Sequence, residues 1–310
     1  MIAMRARNLY DVDELEIMEV YELFELAKIF KRRMSSPVNK LPIFKDKTVC
    51  NLFVEPSTRT KNSFELAEKF LGMNVLNFNT SSSALSKKET LKDTVLTLSS
   101  MSIDLYVIRH REPGSPAFIS KFTDAQIINA GDGLHAHPTQ ALLDTFTIFE
   151  RFGSFKDLRI SIIGDYYHSR VIRSNLKLLN KLGANITVCS PSTLTPKSSS
   201  LYNMNFTNDV VEAIKGSDVV MGLRMQLERQ TDGLFASLKE YNENFGITEE
   251  LFEKYANKNA ILMHPGPINR GVELSGSIAD KHYSVINEQV KNGVATRTAL
   301  IYKMMGGEGI

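Results

Sequence analysis

The residues Glu55-Pro56-Ser57-Thr58-Arg59-Thr60-Lys61 put three hydroxyls, a guanidinium and an ammonium into one short run. Hydroxyls are hydrogen-bond donors, and a guanidinium offers a planar fork of N–H groups that matches a phosphate or carboxylate. The stretch has the chemistry of an oxyanion site. An N-cap alone would also explain Ser and Thr here, but a cap does not need three hydroxyls interleaved with an arginine. Other candidates are spread along the chain: Arg109-His110, Gly131-Asp132-Gly133 through His137-Pro138-Thr139-Gln140, Asp165 to Arg170, Arg224 with Gln226, and His264-Pro265-Gly266-Pro267. Arg109 or Arg224 alone could equally serve a structural ion pair, and His137 could simply open a helix. His135 and His137 have no third ligand nearby in sequence, so zinc is not expected. Ile163-Gly164-Asp165 hints at a dinucleotide turn, but the G-x-G-x-x-G fingerprint is missing. The G-x-x-x-x-G-K-[ST] phosphate loop and the G-x-S-x-G nucleophile elbow are missing too.

These residues need elements to hold them. Thr48 to Val54 is apolar and β-branched enough for a buried strand, and Phe64, Ala67 and Leu71 repeat at helical spacing over Asn62–Leu71, with Gly72 as the C-terminal stop. Ser57–Thr60 therefore fall at a strand-to-helix turn, where unpaired N–H groups and the helix dipole favour an anion. Strands are expected over 48–54, 74–78, 104–108 and 126–129. Helices are expected over 11–34, 62–71, 89–101 and 138–151. The rhythm restarts with strand 159–163, helix 169–182 and strands 185–189, 218–223 and 260–263, and a last helix spans 284–305. Alternating strands and helices mean α/β architecture with parallel sheets. Two doubly wound domains follow, 1–150 and 151–285, with helix 286–310 coming after the second is complete. Most of the candidate groups follow predicted strands, where open α/β sheets bind ligands. If the two sets of strand ends face each other, Arg59, Arg109, Arg170 and Arg224 line a cation-rich cleft for anionic substrates. Asn79–Ser86, serine-rich and followed by Lys87-Lys88-Glu89-Thr90, reads as a flexible loop or a mobile lid, and Gln226–Gly246 as a long polar loop.

The net charge of +2 gives no reason to expect nucleic acid or a membrane surface as partner. No apolar run approaches membrane-spanning length, and the charged N-terminus lacks a signal-peptide core. Cys50 and Cys189 both lie in apolar runs and read as buried free thiols, which points to a reducing, cytoplasmic setting.

Taken together, Ser57-Thr58-Arg59-Thr60-Lys61, His137-Pro138-Thr139-Gln140-Ala141-Leu142-Leu143-Asp144 and His264-Pro265-Gly266-Pro267-Ile268-Asn269-Arg270-Gly271-Val272-Glu273 resemble the aspartate carbamoyltransferase catalytic chains of the aspartate/ornithine carbamoyltransferase superfamily. The similarity runs over essentially the whole chain. Ser-Thr-Arg-Thr is common to the superfamily, whereas the other two motifs and Arg224-Met225-Gln226 favour the aspartate branch. The resemblance implies a carbamoyl phosphate domain, an aspartate domain and a final helix returning to the first. It implies a homotrimer with shared active sites, which regulatory or dihydroorotase-type chains could join. It also implies transfer of a carbamoyl group to L-aspartate, the committed step of pyrimidine synthesis, with no cofactor and no metal. Carried over residue by residue, Ser57, Thr58, Arg59 and Thr60 bind phosphate, and Thr60, Arg109, His137 and Gln140 address the carbamoyl group. Arg170, Arg224 and Gln226 bind aspartate, and the Pro265-Gly266 backbone lines the site. Ser83 and Lys87 belong to a lid that enters the neighbouring subunit's site. Lys88 stands where the family usually has glycine, so either lysine could be the one that reaches in. The rivals are a carbamoyltransferase acting on ornithine or a related amine, and a non-catalytic oxyanion-binding α/β protein that kept the phosphate turn.

Overall fold

The structure, a computed structural model, describes residues 8–36, 40–79, 89–195, 202–225 and 237–308. By compactness the chain divides into two units. Unit 1 is Met1–Leu143 with Lys291–Ile310, and unit 2 is Asp144–Val290.

Unit 1 opens with helix α1 (Ile17–Met34), preceded by a short 3-10 turn at Val12–Glu14 where the sequence predicts helix from residue 11. Glu16 and Glu19 form a reciprocal capping box, which is what starts the helix late. Strands β1 (Thr48–Phe53), β2 (Asn74–Asn79), β3 (Leu105–His110) and β4 (Gln126–Asp132) form a parallel sheet in the order β2-β1-β3-β4. Helices α2 (Thr58–Phe70), α3 (Leu91–Ser99) and α4 (Ser115–Ile119) occupy the connections. β1 is buried along nearly its whole length, as a strand covered on both faces must be. Leu52, Val95, Tyr106, Ile108 and Ile127 belong to one buried apolar cluster. Gly72, just past α2, has φ +79°, and a Cβ there would lie 2.6 Å from Pro42 Cα, so glycine is required at this stop.

Helix α5 (Pro138–Phe152) carries the chain into unit 2. There β5 (Arg159–Ile163), β6 (Asn185–Cys189), β7 (Asn205–Thr207), β8 (Val219–Gly222) and β9 (Ile261–Met263) form a second parallel sheet, ordered β7-β6-β5-β8-β9. Helices α6 (Arg170–Leu182), α7 (Val210–Ile214), α8 (Leu238–Phe245) and α9 (Glu249–Tyr255) complete it. The two parallel sheets expected from the βαβ rhythm are both present. The reading of 226–246 as a single loop is corrected: residues 238–245 are helical. Ser237 caps the helix by accepting from the Glu240 amide, and Tyr241 stacks on Phe245 at 5.6 Å. Helix α10 (Ile286–Met304) leads back, and from Lys291 onward it belongs to unit 1, where Tyr302 meets Phe30 edge-on at 5.4 Å.

Cys50 and Cys189 are buried free thiols, both pushed up to about 12 by burial. No helix among the described residues is long and apolar enough to cross a membrane.

Candidate active site

In unit 1 the strand order reverses between β1 and β3, because β1 has β2 on one side and β3 on the other. Such a switch point leaves a crevice at the strands' C-terminal ends. The hydroxyl–arginine turn follows β1, and Arg109 lies near the end of β3. The two are tied together. Phe53 pairs with Arg109 in the sheet, and the amides of Val54 and Glu55 both donate to the Arg109 carbonyl, at 2.8 and 3.2 Å.

Helix α2 begins at Thr58, four residues before the periodicity predicts, so Thr58, Arg59 and Thr60 form its first turn. Ser57 occupies the N-cap position with an extended backbone, yet its side chain makes no capping hydrogen bond. That outcome disfavours the plain cap reading. The first-turn amides have no intrahelical acceptors, and together with the hydroxyls they present donors at the positive end of the helix dipole. Arg59 and Thr58 are exposed, Ser57 is half-buried and Thr60 is buried.

Arg109 is preorganised. Its Nη2 pairs with Glu55 Oε1 at 2.7 Å and its Nη1 donates to the Ala130 carbonyl at 3.2 Å. Glu55 lies inside the stretch singled out above, but its role depends on a partner 54 residues away, which spacing alone cannot reveal. The loop after β4 is built around Asp132. This buried carboxylate accepts from the Gly114 and Ala136 amides and from Asn129 Nδ2, and lies 3.0 Å from His135 Nδ1. Burial works to raise the Asp132 carboxyl, but these hydrogen bonds outweigh it together and hold it below the usual carboxylate range. The braced loop delivers His137, buried at the start of α5, with Gln140 one turn further on.

Unit 2 repeats the arrangement. Its switch point lies between β5 and β8, where Ile163 pairs with Gly222. Arg170 opens α6 after β5, and Arg224 follows β8. Gly164 makes this approach possible: at φ +140°, a Cβ would lie 2.8 Å from Leu223 Cβ. Asp165 holds the turn, accepting from the His168 amide at 3.0 Å and lying 2.9 Å from His168 Nδ1. Ser169 caps α6, and Arg170 is buried. After β9, the Gly266 amide donates to His264 Nδ1 at 2.8 Å, so the ring carries its proton on Nε2, 3.3 Å from Glu273 Oε1. Asn269 ties the same loop to the segment after β8 through the Met225 carbonyl. Pro265 and Gly266 are thereby held at the C-terminal end of this sheet.

The expected residues of each unit thus lie at the C-terminal ends of its strands: Ser57, Thr58, Arg59 and Thr60 after β1, Arg109 in β3 and His137 and Gln140 after β4 in unit 1, and Arg170 after β5, Arg224 after β8 and Pro265 and Gly266 after β9 in unit 2. Ser83, Lys87, Lys88 and Gln226 lie outside the described residues. No cluster of three or more metal-ligating side chains occurs among the described residues.

Residues 7–150 match the family model of the aspartate/ornithine carbamoyltransferase carbamoyl-P binding domain, and residues 156–304 match that of its Asp/Orn binding domain. An aspartate carbamoyltransferase catalytic subunit from Desulfitobacterium hafniense is 48% identical over 301 residues, covering 97% of this chain and 96% of that protein. The corresponding subunit of Carboxydothermus hydrogenoformans is 44% identical, with 98% and 97% covered. Among solved structures, aspartate transcarbamoylase from Trypanosoma cruzi in complex with carbamoyl phosphate and aspartate superposes with a TM-score of 0.87 at 30% identity, covering 96% of each chain. The ornithine carbamoyltransferase of Pyrococcus furiosus gives 0.86 at 26% identity, covering 100% of both. The fold alone therefore does not separate the two acceptors, whereas sequence identity favours the aspartate enzymes. With both of its domains matched along nearly the full length, this chain belongs to the aspartate/ornithine carbamoyltransferase family.

Proposed function

We propose that this chain transfers the carbamoyl group of carbamoyl phosphate to the amino group of L-aspartate, giving N-carbamoyl-L-aspartate and phosphate, a step of pyrimidine biosynthesis. The observation that carries the reading is that both sheets place arginines at their own switch points. Carbamoyl phosphate and aspartate are both anions, and each needs such a site.

Ser57, Thr58, Arg59 and Thr60 hold the phosphate group at the N-terminus of α2. Thr60, Arg109 and His137 direct donors at the carbamoyl oxygen, and Gln140 orients the carbamoyl amide. Arg170, Arg224 and Gln226 bind the aspartate carboxylates, and the Pro265-Gly266 backbone completes the lining. The neutral amine attacks the carbamoyl carbon, and negative charge collects on its oxygen. Donors fixed beforehand stabilise that charge, an effect worth roughly 3–4 kcal/mol for a single donor. The bond from carbon to the bridging oxygen then breaks, phosphate leaves with the electron pair, and the nitrogen passes its proton to the departing phosphate. The remainder of the acceleration comes from holding two anions in reacting geometry. The pairing of Arg109 with Glu55 and the Ala130 carbonyl supports this, since an arginine already oriented has little to reorganise.

Arg224→Ala tests the acceptor assignment. A charge-assisted contact to a carboxylate is worth about 1.5–3 kcal/mol, so KM for aspartate should rise roughly tenfold to a hundredfold. Carbamoyl phosphate affinity should hardly move. If carbamoyl phosphate affinity falls instead, the division of labour between the two units is wrong.

We further infer a cytoplasmic homotrimer in which Ser83 and Lys87 serve the neighbouring subunit's site. Chains carrying Arg59→Ala and chains carrying Lys87→Ala should each be inactive. Mixed and reassembled, some interfaces combine an intact turn with an intact lid, and activity should return well above either parent. A mixture as inactive as its components, under conditions that restore wild-type chains, would show that each lid serves its own subunit.

A further inference from the structure

The N-terminal turn of α2 is only as well aimed as the helix behind it, and one buried side chain on α10 grips that helix. Arg297 is 3% exposed. Its Nη1 donates to Ser63 Oγ at 2.8 Å and to the Gly293 carbonyl at 3.2 Å, and its guanidinium lies over the Phe64 ring, 5.0 Å from the centroid. Ser63 stands four residues after Arg59 and three after Thr60, and Phe64 stands four after Thr60. At helical spacing, residues three and four apart share a face. Arg297 therefore holds the face of α2 that carries Arg59 and Thr60, one turn further along.

Gly293 reinforces this point. It sits inside α10, where glycine costs about 1 kcal/mol relative to alanine. A Cβ at that position would lie 2.7 Å from Arg297 Nη1, 3.2 Å from Leu143 Cδ2 and 3.6 Å from Ser63 Oγ. An ordinary side chain would push the guanidinium off Ser63. Helix stability is given up at one position, and the contact that this permits is the one between α10 and α2.

We propose that Arg297, admitted by Gly293, is a positioning residue for the phosphate turn: it fixes the rotation of α2 about its axis so that Arg59 and Thr60 face the bound anion. This rests on the reading of Ser57–Thr60 as the phosphate site. Arg297 touches no substrate in this account and acts through Ser63 and Phe64.

The test uses the full chain with inorganic phosphate, followed by calorimetry, together with KM for carbamoyl phosphate and for aspartate and the melting temperature. The variants are Ser63→Ala, Gly293→Ala, Arg297→Met and Arg297→Lys, with Arg59→Ala as reference. Gly293→Ala is the most informative, because the helix gains propensity while the grip on α2 is disturbed. Its Kd for phosphate and its KM for carbamoyl phosphate should both rise about tenfold, equivalent to one net hydrogen bond. Melting temperature should fall by no more than a few degrees, because the gain in helix propensity offsets part of the crowding against Arg297 and Leu143, and the aspartate KM should stay within about twofold, since no aspartate contact is touched. Ser63→Ala should move the same two constants in the same direction, and Arg297→Lys should fall between wild type and Arg297→Met. If Ser63→Ala and Gly293→Ala bind phosphate like wild type while Arg59→Ala does not, the phosphate turn stands and the positioning role fails. If both KM values worsen in step with a falling melting temperature, Arg297 is merely structural and the proposal is overturned. If Arg59→Ala itself binds phosphate normally, the reading of the turn fails, and this inference falls with it.

Discussion

Arg59→Ala should cut turnover by roughly 10²–10³-fold or more, the cost of removing a preorganised donor from developing charge, while the protein stays folded. Arg59 is exposed at the first turn of α2, so the substitution removes no core contact and leaves no cavity. What it removes is a planar, permanently charged fork at the position where, under the proposed function, the leaving phosphate would gather charge. Helix amides and hydroxyls remain in the same turn, so weak phosphate binding should persist. Arg59→Lys should recover only part of the loss, because an ammonium is a point charge without the fork. Circular dichroism and melting temperature establish the folded state, and steady-state kinetics measure the effect. Near-normal kcat in a well-folded Arg59→Ala variant would remove this turn from the chemistry.

The second large effect is on stability and comes from the other end of the same helix. Glu68 on α2 is fully buried and accepts a hydrogen bond from Asn51 Nδ2 on β1 at 2.8 Å. Glu68 Oε1 and Asn51 Oδ1 are buried too, with no hydrogen-bond partner among the described residues. Burial pushes the Glu68 carboxyl from 4.5 up to about 8, against the lowering effect of the Asn51 hydrogen bond and with the Glu65 charge adding to the rise. The acid is therefore neutral in the folded protein at pH 7. An acid whose folded pKa lies above its unfolded value binds more protons when folded, so its contribution to stability is complete below about 4.5. That contribution is lost progressively as pH rises towards about 8, beyond which the effect levels off. The full span is on the order of 5 kcal/mol. Glu68→Gln keeps the shape and cannot ionise. Denaturant midpoints of the two proteins should lie close together at pH 5, diverge up to about pH 8 and then keep a constant separation to pH 9, with the variant the more stable. Parallel curves across that range would mean that Glu68 is solvated or paired when charged.

These two residues show how far sequence could carry the account. Arg59 was legible because its chemistry is local: a β-branched run, three hydroxyls and a helical repeat follow one another, and strand-turn-helix placement needs no distant information. The helix start was misjudged by four residues, since Ser and Thr favour caps and turns, and the apolar repeat becomes visible only at Phe64. Glu68 reads in sequence as an ordinary polar helix position. Its burial is set by the packing of α2 on β1, where Asn51 meets it, a tertiary fact. Glu55 with Arg109 and Glu273 with His264 escaped for the same reason. Among the elements, α4 and β7 are too short to show a period, at five and three residues. Helix α8 was hidden by polar composition, although Ser237 and Glu240 form a cap signal three residues apart. The order of the strands, which turns scattered arginines into two switch points, was not legible at all.

Transfer of a carbamoyl group to aspartate is tested most directly with purified protein incubated with carbamoyl phosphate and either L-aspartate or L-ornithine, followed by colorimetric measurement of the ureido product. N-carbamoyl-L-aspartate should form at enzymatic rates, with one phosphate released per product and no citrulline above background. Product with ornithine and none with aspartate would contradict the acceptor assignment, and no product with either amine would leave only an oxyanion-binding protein.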